Sequence, residues 1–279
     1  MARPPKSLLS EHGLRPKRSF GQNFLIDPAV AKRIATLAAP AGSTAIEIGA
    51  GLGALTRPLL EHAARVIAVE RDRDLVPLLA AELATEVGEG RLQIVEADAK
   101  TIEPAALFEG LPRPHVLCGN LPYQITGPLL QLATRTMPVL ERAVFLVQLE
   151  VANRLAAAPG TDDYGALSVF VQAAFEVKRA FVVGRGAFFP QPNVDSAVVH
   201  LTPRAEPVEE TPSFSALVRA AFGQRRKKLA NAWRGVAGLD VPALQAAAVA
   251  AGINLEDRGE RLAVADFARM ARTVELSRR

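Results

Sequence analysis

The chain has 279 residues, 49% hydrophobic and 22% charged, a composition that excludes a disordered chain and fits one large globular domain or two smaller ones. No uninterrupted apolar run approaches the ~20 residues of a membrane helix, so no spanning segment is expected. The net charge is only +4 and the pI is near 9.5, yet basic residues concentrate at 15–18, at 225–228 and near the C-terminus, which fits either a nucleic-acid partner or a solvated basic surface.

The early basic residues Arg3, Lys6, Arg15, Lys17 and Arg18 precede no apolar stretch of the secretory kind. The single cysteine, Cys118, leaves no disulfide framework and no cysteine-rich metal site. A cytoplasmic protein without a metal is the expectation. Residues 1–18, with Pro4, Pro5 and Pro16, read as a mobile basic arm.

Asp27 before Pro28 reads as an N-cap and first helical position, opening a helix to about residue 39. Thr44–Ile48 is a short buried strand. It runs into Gly49-Ala50-Gly51-Leu52-Gly53 and a helix over 54–62. Arg65–Glu70 is a second strand, closed by an acid. A helix through Leu75, Leu79 and Leu83 follows, then a strand Leu92–Glu96 closed by Asp98. The apolar run 116–119 is a fourth strand, closed by Asn120, and 143–149 is a fifth. This alternation specifies a parallel sheet covered by helices on both faces. Ligands on such sheets bind at the carboxyl ends of strands, and Gly49, Glu70, Asp98 and Asn120 all fall at such ends. Beyond them, 164–173 reads as a helix. Phe175–Val183 and 194–201 read as antiparallel edge strands. Residues 204–212 read as a linker, and the alanine-rich 213–279 as helical.

The glycine turn fits two templates, a dinucleotide fingerprint and the loop of S-adenosylmethionine enzymes. A pyrophosphate needs a positive helix N-terminus, and Glu47, two residues before Gly49, opposes one if it faces the site. A sulfonium donor carries no phosphate. Glu70 can accept from both ribose hydroxyls and Asp98 from an adenine amine, so the set matches adenosine with a cationic tail.

Asn120-Leu121-Pro122-Tyr123 reads either as an ordinary strand-to-helix turn or as a site for a flat base. An exocyclic amine has its lone pair delocalised into the ring. Acceptors on its two N–H bonds, here the Asn120 side-chain oxygen and the Leu121 carbonyl, favour a more tetrahedral nitrogen. Pro122 fixes the turn and Tyr123 can stack on the base. None of the four histidines is assigned to catalysis.

These segments resemble the ribosomal RNA adenine N6-dimethyltransferases. The likeness rests on Phe20-Gly21-Gln22-Asn23-Phe24-Leu25, Glu47-Ile48-Gly49-Ala50-Gly51, Glu70, Asp98 and Asn120-Leu121-Pro122-Tyr123. Three later segments, 188–197, 222–229 and 258–262, continue it. The resemblance implies a Rossmann-like S-adenosylmethionine-dependent methyltransferase sheet, mostly parallel, of seven strands with an antiparallel edge. It also implies a small C-terminal all-helical domain. The expected organisation is a basic arm at 1–18, a catalytic domain at 19–203, a linker at 204–212 and a helical RNA-binding domain at 213–279. Asn23, Leu25, Gly49, Glu70, Asp98 and Asn120 would contact S-adenosylmethionine. Asn120, Leu121, Pro122, Tyr123 and Phe188 would form the catalytic site. Arg225, Arg226, Lys227 and Lys228 would bind RNA phosphates.

The sequence is most similar to the bacterial housekeeping members, which dimethylate two adjacent adenosines in the 3′-terminal hairpin loop of small-subunit rRNA. A monomer acting on that rRNA within the 30S subunit or its precursor is therefore expected. A large-subunit enzyme of the antibiotic-resistance branch, an assembly factor acting by binding, and a nicotinamide dehydrogenase stand as alternatives. Two residues depart from the family pattern: Asn193 replaces a common lysine, and Gly259 stands where alanine or proline is usual.

Overall fold

The computed structural model describes residues 3–122, 126–224 and 226–277, with Arg18 described by its backbone alone. The chain divides into two compact units, one comprising 1–152 and 177–203, the other 153–176 and 204–279.

Nine strands lie in the described residues: β1 (Phe24–Leu25), β2 (Thr44–Ile48), β3 (Arg65–Glu70), β4 (Leu92–Glu96), β5 (His115–Asn120), β6 (Arg142–Gln148), β7 (Phe175–Val183), β8 (Phe188–Phe189) and β9 (Ser196–Pro203). Seven form one sheet in the order β4-β3-β2-β5-β6-β9-β7. The pairs β2–β3, β3–β4, β2–β5 and β5–β6 are parallel, and β6–β9 is antiparallel. The expected mostly parallel sheet with an antiparallel edge is therefore present. Every residue of β2 is buried, as is β5 up to its last residue. That is the mark of central strands covered on both faces, whose apolar runs do not alternate.

From β2 the chain steps outward through β3 to β4, then returns to β5 on the other side of β2. The switch in direction opens a crevice at the carboxyl ends of β2 and β5, where Gly49 and Asn120 follow. Leu146 at the end of β6 accepts the Leu121 N–H at 3.0 Å, which carries the extended backbone one residue past β5.

The short pair β1–β8 sets Phe24 opposite Phe189 and Leu25 opposite Phe188. Neighbouring strand residues face opposite sides, and the two pairs separate accordingly. Leu25 and Phe188 join the main core with Ile34, Val183 and Val198. Phe24 and Phe189 join a smaller cluster with Leu8, Leu9, Leu75 and Leu78.

The expected mobile arm is a correction. Residues Pro5–Glu11 form a helix whose Leu8 and Leu9 are buried. Arg3 pairs with Glu11 and Glu82, and Lys17 with Asp72 and Asp74. A leucine pair with partners far along the chain outweighs the local bias of prolines and charges. Elsewhere, the Pro28–Ala38 helix is capped as expected, the Asp27 carboxylate accepting from the Ala29 and Val30 N–H groups at 2.9 and 3.1 Å. The helix expected over 54–62 is only Thr56–Leu60.

The second unit has its own core, with Tyr164, Phe214, Trp233 and Phe267 at its centre. The Trp233 indole N–H donates to the Leu217 carbonyl at 2.9 Å, and the Tyr164 hydroxyl to the Leu262 carbonyl at 3.0 Å. Burial and the charge of Asp266 raise the Tyr164 phenol above its ordinary range. The boundary differs from the sequence expectation, because 153–176, including the helix Ala166–Ala174, groups with 204–279. Val169 and Ala173 of that helix supply part of a core that the later helices cannot close alone. No helix among the described residues is long and apolar enough to cross a membrane.

Candidate active site

A cleft opens at the carboxyl ends of the strands, walled by Asn23, Leu25, Gly49, Glu70, Asp98 and Asn120. All six residues expected at the methyl donor are thus brought together from β1 and four separate strand ends. Leu121 and Pro122 line the same cleft.

Gly49 and Gly51 take positive φ values of 74° and 57°, which turns the chain sharply out of β2. The turn presents the Gly51 N–H to Glu70 Oε2 at 2.8 Å, while the Asp72 N–H donates to Glu70 Oε1 at 2.7 Å. Burial pushes the Glu70 carboxyl up, and these backbone N–H bonds pull it back down without cancelling the rise. Each carboxylate oxygen can accept twice, so both keep capacity for hydroxyl donors.

Glu47 corrects the electrostatic expectation. Its side chain is 1% exposed, and Oε2 accepts the Thr56 hydroxyl at 2.6 Å. Burial, offset by that hydrogen bond and reinforced by the charge of Glu70, raises its carboxyl to about 8. At neutral pH it is mostly the uncharged acid, so it does not repel a pyrophosphate as a carboxylate would. The argument against a dinucleotide then passes to Glu70 and to the acceptor side.

Asp98 accepts the Lys100 N–H at 3.0 Å. Arg71 and Lys100 approach its Oδ2 at 3.4 and 3.6 Å. Arg71 also lies over the Phe20 ring at 5.0 Å.

On the acceptor side, Gly119 lets β5 pass close to β2, since a Cβ there would fall 2.3 Å from the Ile48 carbonyl oxygen. A methyl on Gly49 would lie 3.5 Å from the Asn120 carbonyl oxygen and 3.9 Å from Pro122 Cδ. The glycine turn and the Asn120-Leu121-Pro122 segment therefore abut. Asn120 Nδ2 donates to the Asn23 carbonyl at 2.9 Å, a bond spanning most of the unit's sequence.

Two expected site residues, Tyr123 and Arg225, lie outside the described residues. Phe188, expected beside the target base, is 3% exposed and belongs to the main core. Its register opposite Leu25 turns it inward. In the second unit, Arg226 and Lys227 are exposed, whereas Lys228 pairs with Glu256.

Sequence reading missed Pro5, Phe20 and Arg71 on the cleft wall, and Gln22, whose Nε2 donates to Asp72 Oδ2 at 2.7 Å. Asp72 falls in the alternating run Glu70-Arg71-Asp72-Arg73-Asp74, which reads as solvent-facing. Nothing local signals that it is buried.

The family model described as "Ribosomal RNA adenine dimethylase" matches residues 13–275. The "Ribosomal RNA small subunit methyltransferase A" of Anaeromyxobacter sp. (strain K) is 46% identical, covering 97% of each chain. Its namesake from Magnetococcus marinus is 44% identical, covering 96% of this chain and 95% of its own. Among solved structures, a dimethyladenosine transferase from Plasmodium falciparum shares the fold, with TM-score 0.71 at 24% identity over 88% of this chain and 95% of that one. The 23S rRNA methyltransferase ErmE is 28% identical with TM-score 0.66, covering 91% of this chain and all of its own. The chain belongs to the ribosomal RNA adenine dimethylase family.

Proposed function

We propose that this enzyme transfers methyl groups from S-adenosylmethionine to the N6 atoms of two adjacent adenosines in the 3′-terminal hairpin loop of small-subunit rRNA. The observation that carries the reading is the glycine turn after β2, whose Gly51 N–H holds the Glu70 carboxylate on one side while Gly49 abuts Asn120 on the other. The relatives named for the small subunit, matched over nearly the full chain, support that substrate over large-subunit rRNA.

The cleft residues fit such a donor. Glu70 has acceptor capacity for a ribose diol, and Asp98 is a carboxylate at the neighbouring strand end that can take an amine. The glycine turn brings backbone close without side chains. When bound, the donor supplies an electrophilic methyl on a sulfonium.

The chain's own residues then hold the nucleophile. With Nδ2 committed to the Asn23 carbonyl, Oδ1 of Asn120 is the atom of that amide left to accept from the adenine amine. The Leu121 carbonyl takes the second N–H, and Pro122 limits the turn between them. Tyr123 stacks on the base once it leaves its loop. Positioning and electrostatics supply the acceleration. The amine proton leaves to solvent after transfer, and no strong general base is required. Phe188 acts from beneath, holding Leu25 and β1 against the core.

Arg225, Arg226 and Lys227 meet RNA phosphates, with Lys228 contributing after leaving Glu256. The enzyme works as a cytoplasmic monomer on the 30S subunit or its precursor.

The test is to incubate the protein with labelled S-adenosylmethionine and undermethylated 30S subunits. Dimethyladenosine in the 3′-terminal loop is the expected product. Label confined to large-subunit RNA would move the assignment to that branch, and absence of transfer to any ribosomal substrate would sink it.

A further inference from the structure

Asp72 lies outside every role derived above, yet both of its carboxylate oxygens and its backbone N–H are hydrogen-bonded. It is 1% exposed. Its backbone N–H donates to Glu70 Oε1 at 2.7 Å. Its carboxylate takes the Lys17 ammonium on Oδ1 and the Gln22 amide on Oδ2, the latter at 2.7 Å. Gln22 Oε1 in turn accepts the Lys17 backbone N–H at 2.7 Å. The next residue, Asn23, offers its carbonyl to Asn120 Nδ2 at 2.9 Å.

These bonds form one continuous path. It runs from the donor carboxylate, Glu70, through Asp72 and Gln22 to Asn23, and ends on the carboxamide that would orient the target amine. Residues 17–25 carry one short turn at Arg18–Phe20 and the two-residue strand β1, so side-chain bonds add to what holds them in place. A carboxylate inside a site of low dielectric, bonded to a cation and an amide, holds its partners more firmly than an exposed one.

We propose that Asp72 is a positioning residue that ties the N-terminal wall of the cleft to the donor carboxylate, so that both ends of the site are set together. Asp72 touches neither donor nor base. Filling the donor end fixes Glu70 and the chain turn at Asp72, and this steadies Gln22, Asn23 and the Asn120 amide. The order of events follows: the acceptor end is best formed when the donor is bound. The inference rests on the cofactor reading above.

The test uses full-length protein with Asp72→Ala, Gln22→Glu and Gln22→Lys. Gln22→Glu sets a like charge beside Asp72, whereas Gln22→Lys restores a donor to it. Three quantities are read: amide hydrogen exchange of residues 17–25, calorimetric affinity for S-adenosylhomocysteine, and kcat at saturating donor.

Asp72→Ala and Gln22→Glu should speed exchange at 17–25 while the central strands stay protected. They should weaken S-adenosylhomocysteine by about tenfold and lower kcat as well. Gln22→Lys should recover most of the affinity. Unchanged exchange at 17–25 in Asp72→Ala, or protection lost across the whole sheet, overturns the proposal, the second because it marks a general structural role. If wild-type protein does not bind S-adenosylhomocysteine, the cofactor reading fails on its own. The tie between Asp72 and the wall is then judged by exchange in the free protein alone.

Discussion

The cleft of the first unit and the basic run of the second treat charge in opposite ways. In the cleft, Glu47, Glu70 and Asp72 are buried, and each is held by a named hydrogen bond. In the basic run, Arg226 and Lys227 stand in solvent, and the exposed Lys228 pairs with Glu256. A buried, bonded carboxylate has one geometry and loses much when changed. An exposed cation has many geometries and loses almost nothing in the free protein. The difference separates a preorganised chemical site from a surface whose order, if it binds RNA, comes with the partner.

Substitutions can break that contrast or sharpen it. The largest effect should come from Asn120→Ala, which removes the acceptor proposed for the reacting amine. Methyl transfer should fall by about 100-fold to 1,000-fold in a single-turnover assay, with the unfolding temperature little changed. Next, Glu70→Ala should weaken S-adenosylhomocysteine by about 10-fold to 100-fold, measured by calorimetry.

Glu47 gives a pH signature of intermediate size. Its folded pKa is about 8 against 4.5 for the ordinary carboxyl, so the folded state holds a proton that the unfolded chain has released. Stability should therefore fall as pH rises through that window, by up to about 1.4 kcal/mol per pH unit. Denaturant titrations from pH 5 to 9 should show this decline in wild type and a flatter profile in Glu47→Gln. A variant that keeps the full slope would locate the titrating group elsewhere. The smallest effect on the free protein belongs to Arg226→Ala with Lys227→Ala. Unfolding should be unchanged within about 0.5 kcal/mol. RNA affinity should weaken, and the slope of log affinity against log salt should flatten by about 1 for each phosphate no longer neutralised. If that pair destabilised the fold as much as a cleft variant, the contrast would be gone.

The parts legible in the sequence were those written in short segments. Strands such as Arg65–Glu70 and His115–Asn120 carry apolar stretches at 66–69 and 116–118, and the site residues fall at strand ends or a step beyond, so topology alone gathers Gly49, Glu70, Asp98 and Asn120. The parts that were not legible depend on distant partners. Leu8 and Leu9 become a buried helix face only because Phe24, Leu75 and Leu78 stand opposite. Phe188 turns inward because of its register with Leu25. The Glu47 reading failed because proximity to a glycine turn reveals neither burial nor protonation. Gly259, a departure from the family pattern, has a local cause, since a Cβ there would meet the Ala221 Cβ at 2.7 Å. Nothing in the structure explains Asn193.

The second unit is assembled from 153–176 and 204–279, two stretches separated by strands that belong to the sheet. During synthesis, Tyr164, Val169 and Ala173 emerge well before Phe214, Trp233 and Phe267, the residues that will cover them. The unit's apolar interior must therefore wait until the residues around Phe267 have been made. A fragment cut at 212 would leave Tyr164, Val169 and Ala173 uncovered, and the excised remainder would lack them. The helical part of this enzyme is not a detachable appendage, because part of its core is made before the strands at 177–203 and the rest after them.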